Sequence, residues 1–167
     1  MIHTRAAIAS PLGDLITVTA SDGTVHALDF ADCEARLHRL FARHHPGASL
    51  ADGAAPAALE SALAAFFAGD LRAIDTLAIA RLGSDFQQRA WAALRAIPPG
   101  DTRSYAQQAA SMGQPSAVRA VGLANGANPI AILVPCHRVL GASGALTGYA
   151  GGVDRKAWLL RHEGALL

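Results

Sequence analysis

The segment Pro135-Cys136-His137-Arg138-Val139 sets a thiol directly beside an imidazole, after a proline, at the end of the apolar run Ile130-Ala131-Ile132-Leu133-Val134. A thiol becomes a strong nucleophile when its pKa is lowered or a base takes its proton. His137 is a candidate for that base. Two other readings fit the same pair: a lone Cys is commonly a small buried hydrophobe, and a Cys-His pair can be half of a metal site. The adjacency also constrains the geometry. In a continuing strand, successive side chains point to opposite faces. The pair is therefore expected at a strand's end, where Pro135 bends the chain and a water bridges sulfur and imidazole.

A catalytic imidazole must be oriented, usually by a carboxylate on its second nitrogen. Glu163, near the end of the last helix, is the best candidate. Asn128, before Pro129, can pin the backbone around the site through side-chain hydrogen bonds. The Gly-rich segment from Gly141 to Gly152, containing Tyr149, reads as a binding loop.

The charge pattern adds a second signal. Net charge is only +1, but no carboxylate occurs in the 52 residues between Asp101 and Asp154. Even scatter of the thirteen acids would put about four there. The same window holds Arg103, Arg119 and Arg138. A surface cleared of negative charge and carrying a few arginines suits a polyanion. A neutral Gly/Ala-rich segment buried in the core would give the same pattern.

At 167 residues and 51% hydrophobic content, the chain can form one domain or two small lobes with a real core. No eighteen-residue uncharged apolar stretch exists, and Met1-Ile2-His3-Thr4-Arg5 lacks the apolar core of a signal peptide. A cytoplasmic location is expected. Cys33 and Cys136 lie far apart, and a structural disulfide is not expected in that compartment. Cys33 reads as inert packing or a surface thiol. No C-x-x-C or H-x-x-x-H spacing occurs, so no metal site is expected. His26, His38, His44 and His45 read as solvated or capping residues.

The elements that must position these groups divide near residue 83. On the N-terminal side, Ile16, Val18 and Ala20 alternate with Thr17 and Thr19 as a strand, and Asp22-Gly23 turns into a second strand over 24–30. Leu37, Leu40 and Phe41 recur at helical spacing, and His44-His45-Pro46-Gly47 ends that helix. Residues 48–56 read as loop. Leu59, Leu63, Phe66 and Phe67 form another helical stripe, closed by Gly69.

On the C-terminal side, Ser84 with Gln87 and Ser104 with Gln107 are capping-box patterns. The first opens a helix that Ile97-Pro98-Pro99-Gly100 ends; the second opens a helix to about Met112. Gly113-Gln114-Pro115 is a turn. Ser116 can cap a further helix to Asn125, with Gly126 as its stop. Helix, short Gly-containing turn and helix make a helix-turn-helix pattern. In the second helix Val118, Val121 and either Ala124 or Leu123 can face the core. Ala117, Ala120 and Gly122 are small for an exposed face and permit close approach, with Arg119 projecting; tight helix packing would favour the same small residues. The last helix is expected to start at an Asp154 cap and stop at Gly164.

These residues, taken together and in order, resemble the O6-alkylguanine-DNA alkyltransferases, the methylated-DNA–protein-cysteine methyltransferases. The resemblance covers nearly the whole chain and is strongest from Ser84 to Gly164. It is carried by Asp85-Phe86-Gln87 with Trp91, Ile97-Pro98-Pro99-Gly100, Ser104-Tyr105, Ala117-Val118-Arg119-Ala120-Val121-Gly122 and Asn128-Pro129. Pro135-Cys136-His137-Arg138-Val139, Gly148-Tyr149-Ala150-Gly151-Gly152 and Leu159-Leu160-Arg161-His162-Glu163-Gly164 complete it. Ser10-Pro11-Leu12-Gly13 and the strands after it also look like the family's ribonuclease-H-like lobe.

The resemblance implies an α/β (α+β) fold. A ribonuclease-H-like structural lobe over 1–82 would precede a mainly helical DNA-binding and alkyl-transfer domain with a helix-turn-helix over 83–167. It implies a single-turnover repair protein for O6-alkylguanine, chiefly O6-methylguanine, with O4-methylthymine as a secondary substrate. Cys136 would accept the alkyl group, His137 would take its proton through water, Glu163 would orient His137, and Asn128 would support the site. Tyr105 would donate to the departing base. Backbone carbonyls of Cys136 and Val139 would read the guanine amino group, and Tyr149-Ala150-Gly151 would cover the base. Some relatives have Ser where Ala150 stands, so only a backbone N–H is offered to O6 there. Arg119 would fill the gap left by a flipped nucleotide, on a helix lying in the minor groove with Ala117, Ala120 and Gly122 against it. No cofactor, membrane or obligatory protein partner is implied; double-stranded DNA is the partner of a monomer.

Overall fold

The computed structural model describes residues 1–166, a mixed α/β chain that separates into two compact units. The first comprises Met1–Arg81 with Pro129–Ala131; the second takes residues 82–128 and the chain from 132 onward. No helix among the described residues is long and apolar enough to cross a membrane.

The first unit is built on a four-stranded sheet. Strands β1 (Ile2–Ile8), β2 (Leu15–Thr19), β3 (Val25–Phe30) and β4 (Ser49–Asp52) lie in the order β3-β2-β1-β4. The first three form an antiparallel meander, and β4 pairs parallel to β1. All of β2 is buried, so alternation in its sequence reports the pleat and not one wet face. Helix α1 (Glu34–His44) brings Leu37 and Phe41 onto Ile16, Val18 and Ala27. Helix α2 (Ala57–Phe67) buries Leu59, Leu63 and Phe66. Pro129–Ala131 joins this unit because Leu28 N–H donates to the Pro129 carbonyl and Ala131 N–H to the Leu28 carbonyl.

Two strands depart from the sequence expectation. Residues 48–56 read as loop, yet 49–52 form β4, a short and mostly exposed edge strand held by backbone pairing to β1. The hydrophobic pattern carries no trace of a strand that buries so little. Strand β1, which the sequence reading does not mark as a strand, pairs with β2 across the Ser10–Gly13 turn, where Gly13 N–H donates to the Ser10 carbonyl.

In the second unit, α3 (Asp85–Arg95) and α4 (Tyr105–Ser111) both begin with a complete capping box, Ser84 with Gln87 and Ser104 with Gln107. Helix α5 (Val118–Gly126) begins differently: Ala117 is its N-cap, no side chain caps it, and Gly126 lies inside it. Ser116 and Gly126 therefore do not bound the helix as the sequence suggests. The last helix, α6 (Val153–His162), starts after Gly152, so Asp154 sits in its first turn and not at its cap; Gly164 follows at a positive φ of 82°. A two-residue parallel ladder, β5 (Arg103–Ser104) with β6 (Val139–Leu140), joins the start of α4 to the chain after the Cys-His pair.

Three buried side chains fix α5 against its neighbours. Gln108 and Asn125 exchange amide hydrogen bonds of 3.0 and 2.8 Å, Gln108 Nε2 also donates to the Ala90 carbonyl, and Trp91 Nε1 donates to the Ala124 carbonyl at 2.9 Å. A half-satisfied buried amide costs its full desolvation penalty. Asn125→Ala is therefore expected to lower unfolding stability by about 1–3 kcal/mol in urea. The double variant Gln108→Leu/Asn125→Leu should lose less than the sum of the two single changes. Strict additivity would show that the two amides do not act as a pair.

Candidate active site

Cys136 opens a single 3-10 turn, Cys136–Arg138, which runs into β6. The expected strand end is absent: the run 130–134 makes one isolated bridge at Ile130 and then turns. Ile132 has φ of 71°, an uncommon conformation for a β-branched residue and one that costs of order 1–3 kcal/mol. The chain thus reverses tightly just ahead of the thiol. Asn128 holds this reversal. Its Nδ2 donates to the Val134 carbonyl at 2.8 Å and to Cys136 Sγ at 3.3 Å. One buried amide therefore sets both the turn and the sulfur.

His137 is fully buried, and its Nε2 lies 2.9 Å from Glu163 Oε2. Arg138 clamps the same carboxylate, with Nε on Oε1 at 3.0 Å and Nη2 on Oε2 at 2.7 Å; its Nη1 donates to the Ile97 carbonyl. Burial alone would raise the Glu163 pKa, but the hydrogen bonds from His137 and Arg138 outweigh it and hold the carboxyl at about 2. Burial pushes the His137 imidazole below its ordinary range, against the opposing pull of Glu163. The two shifts describe one state: an ionised glutamate and a neutral histidine. With Glu163 ionised, Nε2 carries the proton and donates it, leaving a lone pair on Nδ1. Nδ1 is buried and has no hydrogen-bond partner among the described residues.

Two residues in the site lay outside the sequence reading of its chemistry. By charge pattern Arg138 reads as one of three arginines that could face a polyanion; it is buried and committed to Glu163. Lys156 belongs to none of the motifs that mark the site. It is buried on α6, and its Nζ donates to the carbonyls of Val139 at 2.5 Å and Thr147 at 2.8 Å. Burial lowers its pKa, with the Cys136 sulfur pulling the other way. Its signal was available: Lys156 falls on the same helical stripe as Ala157 and Leu160, both buried.

The remaining sequence candidates surround this centre. Tyr105 is the first residue of α4; burial raises its hydroxyl pKa and the Cys136 sulfur adds to the effect. Gly148 has φ of 70°, and a side-chain carbon there would come within 3.1 Å of the Tyr105 hydroxyl, so the position favours glycine. The Tyr149 and His137 rings meet edge-on at 6.4 Å. Gly151 is half-buried and Ala150 exposed. On α5, Arg119 and Ala120 are exposed, while Gly122 faces the Tyr105 ring at 4.0 Å from its would-be side-chain carbon. Ala117 is half-buried at the helix start. Val121 and Ala124 face inward as expected, but Val118 is 38% and Leu123 72% exposed. Both flank Arg119 on the open face.

Residues 85–165 match the family described as 6-O-methylguanine DNA methyltransferase, DNA binding domain. The chain is 51% identical over 162 residues to the methylated-DNA–protein-cysteine methyltransferase of Salmonella typhimurium, covering 96% of this chain and 95% of that protein. It belongs to the methylated-DNA–protein-cysteine methyltransferase family. The Mycobacterium tuberculosis methyltransferase of the same name is 48% identical over 163 residues, covering 98% and 93%. A crystal structure of Mycobacterium tuberculosis OGT in complex with DNA superposes with a TM-score of 0.79 at 41% identity, over 96% of this chain and 92% of that one. The O6-methylguanine-DNA methyltransferase of Pyrococcus kodakaraensis, at 22% identity and a TM-score of 0.75, shares the fold.

The charge balance at Glu163 has a measurable consequence for this methyltransferase. A carboxyl held at about 2 in the fold, against 4.5 when unperturbed, contributes stability that is fully present above pH 4.5 and is lost as pH falls through about 2. Denaturation midpoints are expected to decline over that window, and the decline should be shallower in Glu163→Gln. Arg138→Ala leaves the carboxylate short of its cation and should cost about 3–5 kcal/mol at neutral pH. An unchanged acid limb in Glu163→Gln would mean that other carboxylates set it.

Proposed function

We propose that Cys136 is the acceptor in the methyl transfer from DNA to protein cysteine that defines this family. The carrying observation is the sulfur held by Asn128 at 3.3 Å beside a neutral, Glu163-oriented imidazole. The substrate is O6-alkylguanine, chiefly O6-methylguanine, in double-stranded DNA, with O4-methylthymine as a secondary substrate. His137 Nδ1 takes the Cys136 proton through a bridging water. The sulfur attacks the alkyl carbon, a carbon–sulfur bond forms, and the bond from that carbon to O6 breaks with its electron pair left on the guanine. Tyr105, kept protonated by its burial, donates to the departing base. Asn128 positions the thiol, and carbonyls of Cys136 and Val139 accept from the guanine amino group. Lys156 supports that reading by fixing the Val139 carbonyl. Tyr149, Ala150 and Gly151 cover the base.

The target atom is inside the duplex, so the nucleotide must leave the stack. In this reading α4 and α5 act as a helix-turn-helix whose second helix enters the minor groove. Arg119 fills the vacated position, and Ala117, Ala120 and Gly122 allow close approach. The exposed Val118 and Leu123 beside Arg119 support an apolar contact with sugar or base edges. The sheet order β3-β2-β1-β4 supports a ribonuclease-H-like N-terminal lobe over 1–82, preceding a transfer domain over 83–167. The protein acts as a cytoplasmic monomer without a cofactor. A thioether on Cys136 has no leaving group that water displaces at neutral pH, so each molecule reacts once.

Intact and peptide mass after mixing with duplex DNA bearing one O6-methylguanine should show one added methylene unit on the Cys136 peptide, saturating at one per chain. Cys136→Ser should bind the lesion and gain no mass. Mass on another peptide, or repeated turnover, would overturn the assignment. Arg119→Ala is expected to react with the duplex about 100-fold more slowly, the worth of a few kcal/mol of flipping energy, and with the free modified base at the parental rate. Because His137 is held below its ordinary 6.5, the acid limb of the single-turnover rate should fall below that pH. A limb at or above it would mean that another group supplies the base.

A further inference from the structure

We propose that Leu123 is a second wedge for the duplex, working beside Arg119: it enters the minor groove and unstacks a base step close to the position that Arg119 fills. The inference rests on the reading of α5 as the helix that lies in that groove, and it names a further positioning residue for the same reaction.

Among the described residues, the large hydrophobic side chains left exposed are Met1, Ile2, Val118, Leu123 and Val153. Two of these five lie on α5, which is only nine residues long. A single exposed leucine is ordinary on a protein surface; the setting of this one is not. Leu123 follows Arg119 by four residues, so the two side chains stand one above the other on the same face. Leu123 is 72% exposed, against 38% for Val118, so it is the apolar group that projects furthest from this face. Ala120 and Gly126 are also exposed there and contribute almost no side chain. The leucine and the arginine therefore stand clear of a smooth surface. Behind them the helix is rigidly backed: Val121, Ala124 and Asn125 are buried, and Trp91 and Gln108 donate hydrogen bonds to Ala124 and Asn125. A wedge needs such a backing, because it must push against stacked bases without being displaced.

An apolar side chain inserted from the minor groove partly unstacks one base step and kinks the duplex. Leucine has no donor or acceptor in its side chain, so it reads no base edge and adds no sequence preference. Arg119 and Leu123 divide the work: the guanidinium occupies the vacated position with charge and donors, while the leucine loosens the stack that holds the target nucleotide. Four helical residues advance about 6 Å, less than two base-pair rises of about 3.4 Å each. Leu123 therefore acts on a step within two of the flipped nucleotide. Helix α5 contains no carboxylate, so no acidic side chain on it repels the flanking phosphates.

Leu123→Ala removes the wedge and keeps a good helix former. Its thermal midpoint should match that of the parent, since the lost side chain is mostly in solvent. Single-turnover transfer from duplex DNA with one O6-methylguanine should slow about tenfold, ~1.4 kcal/mol of barrier. The ratio of that rate to the rate with the free modified base should fall by the same factor, and Leu123→Met should restore most of it, because a wedge needs bulk. In the Cys136→Ser background, 2-aminopurine placed one or two steps from the lesion should brighten on binding, and Leu123→Ala should abolish most of the rise. No transfer by the parental protein would overturn the function proposed above and the wedge with it. Parental transfer with an unchanged duplex rate in Leu123→Ala would overturn the wedge alone. Equal slowing on duplex and free base would place Leu123 in support of the transfer site and also overturn it. So would a change in self-association without a change in duplex rate, which would make Leu123 a contact between copies.

Discussion

The second unit is organised around one buried carboxylate. Glu163 is removed from water, and an isolated ionised carboxyl there would be prohibitively costly. It is tolerated because three N–H donors reach it: two from the Arg138 guanidinium and one from His137. The guanidinium cancels the charge, so the imidazole need not. That leaves His137 neutral, with its Nε2–H spent on Glu163 and a lone pair on Nδ1. Arg138 reaches beyond the carboxylate to the Ile97 carbonyl, and Gly100 passes so close to the Glu163 backbone that a side-chain carbon would sit 3.1 Å from its carbonyl oxygen. The Pro-Pro-Gly segment, the Cys-His turn and the end of α6 are therefore locked to one another through a single ion pair. A pair like this is weak as a source of net stability; its value is that it fixes a tautomer and an orientation.

The positioning of the sulfur rests on a second constraint, the reversal of the chain before Cys136. An apolar run such as Ile130–Val134 would be comfortable as a strand, and a strand would throw the Cys136 and His137 side chains to opposite faces. The 3-10 turn avoids this. It requires an unfavourable φ at Ile132, offset by burial of the run and by the two hydrogen bonds from Asn128. Lys156 works in the same way one step further on. By donating to the carbonyls of Val139 and Thr147, a buried ammonium fixes backbone oxygens that the turn has brought to the edge of the site.

Much of this was legible in the chain. Both capping boxes announced helices whose starts matter: the second one sets Tyr105 as the first residue of α4. Cys136, His137, Asn128 and Glu163 could be named from residue type and from the need to orient a base. What stayed hidden has a common physical cause. Edge strand β4 buries almost nothing, so no hydrophobic period marks it. Arg138 looks like any surface arginine until its acidic partner 25 residues away is brought beside it. Val118 fits a core stripe by spacing, yet the stripe on α5 is narrow and leaves both Val118 and Leu123 outside. Each omission concerns a contact distant in sequence or a residue that local pattern assigns to the wrong side of the surface.

The electrostatics also bear on why such a site works once. Moving a proton from Cys136 to His137 creates an imidazolium in a buried place. Glu163 favours it, while Arg138, Lys156 and desolvation oppose it, with desolvation the largest influence. A neutral imidazole is thus the resting state of His137. An arrangement built for turnover would have to regenerate the free thiol, which needs a thioether carbon–sulfur bond to break. Asn128 can donate to the sulfur, but a neutral amide is a weak acid and does little to activate that bond. A thioether formed at such a site would have no path back. In the proposed transfer, irreversibility would follow from the chemistry of the bond formed, and the protein's contribution would be to hold a modest base in one orientation long enough for it to form.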